Sequence, residues 1–151
     1  LNTELGRVAA LASSGVYALP ELLQALRHPD AAVRYWGATG VGNIGKEAVN
    51  AKEPMINALE DSSPSVRIAA ARALAKLGDP KRALPTLQAE LKSEHQWGRL
   101  AAAIVLDEMD EQARPAIPAL KQALVRQPNK YIVRVANRAL NELQGTNNAV
   151  P

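Results

Sequence analysis

Apolar and polar positions alternate along the chain in a pattern that returns about every 33 residues. Between 66 and 77, the apolar or small residues Val66, Ala69, Ala70, Ala73, Leu74 and Leu77 fall at i, i+3, i+4, i+7, i+8 and i+11. That spacing lines one face of a helix. The same six places hold Val33, Trp36, Gly37, Gly40, Val41 and Ile44, and again Gly98, Ala101, Ala102, Val105, Leu106 and Met109. One residue into each stripe stands an arginine: Arg34, Arg67 and Arg99. Eight positions before each arginine is a leucine (Leu26, Leu59, Leu91), and eleven positions after it stands Gly45, Gly78 or Asp110.

The segments between these landmarks read as helix pairs. Pro20, Pro54, Pro85 and Pro118 lie near the start of the first helix of each pair, where a proline is tolerated. The turns carry Pro29-Asp30, Asp61-Ser62-Ser63-Pro64, Ser93-Glu94 and Gln127-Pro128-Asn129, which are turn and N-cap residues. Gly45 and Gly78 stand where a helix must stop, in the positive-φ position that favours glycine. The last pair is phased on Ile132, Val135, Ala136, Ala139, Leu140 and Leu143, which leaves Arg134 out of register after a longer turn. Terminal repeats have one neighbour and depart from the pattern. The expected architecture is all-α: a right-handed α-solenoid of about four helix pairs plus a leading helix, about nine helices in a single domain over 1–151. The repeats run over 18–45, 47–78, 80–110 and 112–145, with a leading partial repeat at 3–14 and a tail at 146–151.

Composition supports helices. Hydrophobic residues make up 47% and aromatics 3%, with no Phe, a balance suited to close helix packing rather than to a sheet. The net charge of +3 comes from 18 basic and 15 acidic residues. These are interspersed along the chain, whereas a nucleic-acid domain concentrates its cations. Cysteine is absent, which removes disulfides and thiolate chemistry. No apolar run reaches the ~18 residues of a membrane span, and the start has no signal-peptide pattern. The chain opens at Leu1, almost inside a helical pattern, and reads as a fragment or processed product. His28 and His95 lie in separate turns without further ligands at metal spacing. Gly40-x-Gly42 lacks the strand-to-helix context of a phosphate loop. No cofactor and no catalytic residues are expected in this chain.

The stretch Ser63–Pro80, with Pro64, Val66, Arg67, Ala69, Ala70, Leu74, Leu77, Gly78 and Asp79, resembles the HEAT-repeat family, especially its short bilin-lyase-like variety. Through its copies the resemblance covers nearly the whole chain and implies a HEAT-like solenoid. It says little about function, because such repeats serve many unrelated proteins. Three segments, Asp30–Gly40, Trp97–Ala102 and Tyr131–Leu140, also resemble the helical region that follows the catalytic domain of a group of bacterial sulfatases. This resemblance implies a parent enzyme hydrolysing sulfate esters in a periplasmic or secreted setting, with its catalytic domain as this region's partner. The sulfatase signature Cys/Ser-x-Pro-x-Arg is not here: Ser62-Ser63-Pro64-Ser65-Val66 puts Val66 where arginine belongs.

Six side chains are the candidate interface or inter-repeat ladder: Arg34, Arg67, Arg99, Tyr35, Trp36 and Trp97. A cation near a helix N-terminus is disfavoured by roughly 0.3–1 kcal/mol, so something must hold each arginine. One reading is a ladder in which each guanidinium bonds carboxylates or carbonyls of an adjacent turn, with Asp30 or Asp61 as partners. The other is an anion-binding stripe. Trp36 falls on the core stripe, where its counterparts are Ala69 and Ala101; Trp97 precedes the stripe and is expected to be partly exposed, where it could anchor an interface. The functional readings are a sulfatase accessory domain, a stand-alone protein-binding scaffold and, third, a basic nucleic-acid binder.

Overall fold

Helix formation here is governed by caps and by proline. Asp30 opens α3 (Ala31–Ile44) by accepting the Ala32 N–H at 2.9 Å. Asn129 opens α9 (Lys130–Gln144) by accepting from Tyr131 at 2.9 Å and Ile132 at 3.4 Å. Each bond satisfies a donor that the first helical turn leaves free. In a computed structural model describing residues 3–151, these helices join α1 (Thr3–Leu11), α2 (Leu19–Ala25), α4 (Lys52–Ala58), α5 (Pro64–Lys76), α6 (Pro80–Glu90), α7 (Gln96–Glu108) and α8 (Ile117–Ala123). Short 3-10 segments at Val16–Ala18, Gly45–Ala51 and Asp110–Ala116 lead into α2, α4 and α8. All regular structure among the described residues is helical, in the class of α-solenoid repeats.

Proline placement explains one departure from expectation. Pro20 and Pro118 occupy the first turns of α2 and α8, and Pro54 is the third residue of α4. Pro85 instead lies inside α6, which begins at Pro80. The first helices before and after it are preceded by 3-10 segments, so their α-helical bonding starts close to the proline. In α6 regular bonding starts one turn and more earlier. Pro85 then forfeits the bond to the carbonyl of Lys81, with both residues on the exposed side.

Helix ends follow the glycine rule and extend it. Gly45 (φ 73°), Gly78 (φ 95°) and Gly145 (φ 64°) all take positive φ after their helices. Asp110, the residue in the corresponding place of the third repeat, adopts φ 51° without being glycine. Short acidic side chains tolerate this region better than most.

The chain divides into two compact units, residues 1–83 and 84–151. In the first, α3 packs against α1, α2 and α5, and α5 also packs against α4. Its centre holds Val8, Leu22, Val33, Val41, Met55, Val66 and Leu74, all fully buried. In the second, α9 packs against α7 and α8, around Leu87, Leu106, Leu120, Ile132 and Leu140. Small residues bring α2 and α3 together. A Cβ added at Gly37 would lie 2.8 Å from the Leu22 carbonyl oxygen. This contact also accounts for Trp36, which was expected in the core and is only half-buried: the line of contact between α2 and α3 runs through Gly37 and Gly40 beside it. Beyond Gly145 the tail turns back on α9, where Asn137 Nδ2 donates to the Ala149 carbonyl at 3.2 Å and Asn141 Nδ2 to that of Asn148 at 3.0 Å.

Candidate functional site

The repeated arginine is the fourth residue of its helix in α3, α5 and α7 alike. In each case its side chain reaches back to the turn before the helix. Arg34 Nη1 donates to the carbonyls of His28 (3.0 Å) and Pro29 (2.9 Å). Arg67 Nη1 donates to those of Asp61 (2.9 Å) and Ser62 (3.3 Å). Arg99 Nη1 donates to Ser93 at 2.7 Å. The acceptors are always six, or six and five, residues back. They follow the end of the preceding helix, where carbonyls lack helical partners and the dipole is negative. That charge-assisted bonding offsets the cation's unfavourable place at the next helix's N-terminus.

The residue whose carbonyl takes the arginine also fixes the turn with its side chain. His28 Nδ1 accepts the Asp30 N–H at 3.0 Å, Asp61 Oδ1 that of Ser63 at 2.8 Å, and Ser93 Oγ that of His95 at 3.1 Å. In the last turn Gln127 Oε1 accepts from Asn129 at 3.1 Å, but the fourth residue of α9 is Val133. Arg134, one place on, turns elsewhere: Nε donates to the Pro151 carbonyl, and the guanidinium lies 5.9 Å from the Tyr131 ring centre.

Arg34 also pairs with a carboxylate. Its Nε and Nη2 meet Asp61 Oδ2 and Oδ1 at 2.8 and 3.0 Å, a parallel two-bond geometry. Both side chains are mostly buried. Arg34 holds the Asp61 carboxyl below its ordinary value, aided by the Ser63 N–H, and Asp61 in turn raises Arg34. Asp61 therefore joins two repeats, through its carboxylate to Arg34 and through its carbonyl to Arg67. Asp30 caps α3 through the Ala32 N–H, and its charge also raises Arg34.

The aromatic candidates separate. Tyr35 and Trp36 are half-buried and meet edge to face, with ring centres 5.2 Å apart. Trp97 is 74% exposed. Next to it Gln96 Oε1 accepts from Asn129 Nδ2 at 3.0 Å, tying the starts of α7 and α9. Among the described residues there is no grouping of three or more His, Cys, Asp or Glu able to hold a metal, and no helix is long and apolar enough to cross a membrane.

Comparison with known proteins agrees with this architecture. The HEAT-repeats family matches residues 19–107 and 52–141, and the chain belongs to that family. Among solved structures, it is similar to one of the complex of CpcE and CpcF of phycocyanin lyase from Nostoc, with 25% identity, a TM-score of 0.67, and 87% of this chain and 85% of that one covered. A designed armadillo repeat protein in complex with the peptide (KR)4 is similar at 19% identity and TM-score 0.66, over 93% of this chain and 74% of that one. A second designed armadillo repeat protein gives 18% identity and TM-score 0.59, over 95% and 76%. These designed proteins share the fold alone. No curated protein matches the chain.

Proposed function

We propose that this chain is a protein-binding HEAT-repeat scaffold. The observation that carries the reading is Trp97: a large indole left 74% exposed beside a turn that two hydrogen-bonded helix starts hold in place. Tryptophan is among the side chains enriched at the energetic centres of protein interfaces. Similarity to a structure of a complex between two proteins, CpcE and CpcF, supports the same reading. HEAT repeats generally serve as a non-catalytic fold, in keeping with a scaffold. The narrower reading, an accessory domain beside a sulfatase catalytic domain, rests on residue resemblance alone; neither the family match nor the similar structures support it.

The test is affinity enrichment from the source cells with the wild-type chain and with Trp97→Ser, after circular dichroism shows equal helicity. The reading expects a protein retained by the wild type and reduced at least about tenfold with the variant, since a hot-spot side chain contributes on the order of 2 kcal/mol. Equal retention by both, or no protein retained by either, overturns it.

A further inference from the structure

Each unit carries a cavity at the same place in its repeat pair. In the first, about 370 Å³ is bounded by Leu26, Arg27, Asn57, Ala58 and Asp61. In the second, about 350 Å³ is bounded by Leu91, Lys92, Gln122, Ala123 and Arg126, each 65 residues further along the chain than its counterpart. Four of these five correspondences keep size and polarity. The fifth exchanges Asp61 for Arg126.

The exchange sits at the carboxylate that holds Arg34. In the second unit Arg99 itself lines the cavity. Its Nη1 takes the Ser93 carbonyl as its counterparts take theirs, but its Nε is buried with no hydrogen-bond partner among the described residues. In the first unit the corresponding Nε donates to Asp61. The difference lies in the turn that follows α8. The turn from Leu124 to Asn129 is one longer than that from Leu59 to Ser63, and Arg126 takes φ 53° within it. Counted from the preceding helix, Asp61 corresponds to Arg126; counted from the following cap, it corresponds to Gln127. Neither is acidic. Both polar atoms of the Gln127 amide are engaged, Oε1 with Asn129 N–H and Nε2 with the Ala123 carbonyl at 3.3 Å.

We propose that the cavity beside Arg99 is a socket for one carboxylate on an acidic segment of a protein partner, with Arg99 as its principal donor and Lys92 and Arg126 as the surrounding positive charge. The inference rests on the scaffold reading. The protein displays its own template for the bound state, the parallel two-bond Arg34–Asp61 pair. A planar carboxylate fits that fork, a side chain fits the cavity, and no acidic residue lines it to compete. Buried donors without acceptors are costly, so a ligand that completes Arg99 gains more than one meeting an already satisfied surface.

The test is a titration of the full chain, followed by backbone amide resonances, with three probes: a blocked pentapeptide of glycine and serine around one aspartate, the same peptide with asparagine, and inorganic phosphate. The aspartate peptide is expected to shift Ser93, Arg99 and Gln127 saturably, and the asparagine peptide to bind about tenfold more weakly or less. Arg126→Ala should weaken the aspartate peptide about tenfold, and Gln127→Glu, which supplies an internal carboxylate, should abolish its effect. Absent shifts, equal response to the asparagine peptide, wild-type binding by Gln127→Glu, or tighter binding of phosphate than of the aspartate peptide each overturn the proposal. If the cavity fails while Trp97-dependent partner retention persists, the socket falls and the scaffold stands; the reverse pair of results removes the scaffold reading and, with it, the protein partner that the socket proposal names.

Discussion

Asp61 performs three tasks with three oxygens. Its carboxylate takes Arg34 and the Ser63 N–H, and its carbonyl takes Arg67. Because Arg34 depresses its folded pKa, the ion pair contributes stability above the ordinary carboxylate range and loses it as pH falls through that lowered value. Asp61→Asn keeps the shape and the acceptor for Ser63 but removes the charge. The variant is expected to be about 1–2 kcal/mol less stable than the wild type at pH 7. The gap should narrow as pH falls through the lowered folded-state value, where the wild-type carboxyl also becomes neutral. Urea unfolding of both proteins across that range checks this, and a gap independent of pH would contradict it. The recurrence of the arginine is legible in the sequence, because it falls at a fixed place in the period, and so is the presence of Asp30 and Asp61 in the adjoining turns. That Asp30 serves its own helix is a matter of local cap geometry, and periodicity does not distinguish the two aspartates.

At the scale of elements, α2 and α3 depend on absent side chains more than on present ones. A Cβ at Gly37 would press on the Leu22 carbonyl at 2.8 Å and on Ala25 Cβ at 3.2 Å, whereas at Gly6, in α1, nothing lies within 4 Å. Gly37→Ala should therefore cost about 1–3 kcal/mol through overpacking. Gly6→Ala should stabilise by up to about 1 kcal/mol through helix propensity. The shift of the urea midpoint in opposite directions is the check; shifts of the same sign would mean that the α2–α3 contact is misplaced. The stripe that places Gly37 on a packed face is readable from the sequence, and so is most of that in α9, where Ile132, Ala136, Ala139, Leu140 and Leu143 are buried and Val135 is half-buried. Pro85 is not readable in the same way. Its place inside α6 depends on whether a 3-10 segment precedes the helix, and the residues around Pro80 give no marker for that. Asp110 lies between these cases: it occupies the glycine position of the repeat and takes the glycine conformation.

Among the described residues, the helix pairs α2–α3, α4–α5, α6–α7 and α8–α9 follow one another, and the turns that open α3, α5, α7 and α9 differ in their polar side chains. The net charge of +3 comes from 18 basic and 15 acidic residues interspersed along the chain. The charge that matters is local, at one turn in each unit. The 65-residue correspondence of Asp61 with Arg126 is present in the sequence. Its consequence is not: the longer turn is readable, but the engaged Gln127 amide and the buried Arg99 Nε emerge only when the turn is folded. The account holds that one arginine position is closed by the chain itself in the first unit and left for a partner in the second. The most direct measurement places both in one spectrum: the side-chain Nε–H resonances of Arg34 and Arg99 as acetate is added to the full chain. The account predicts a saturable shift of Arg99 with Arg34 unmoved. Equal movement of both, or movement of neither, would contradict it.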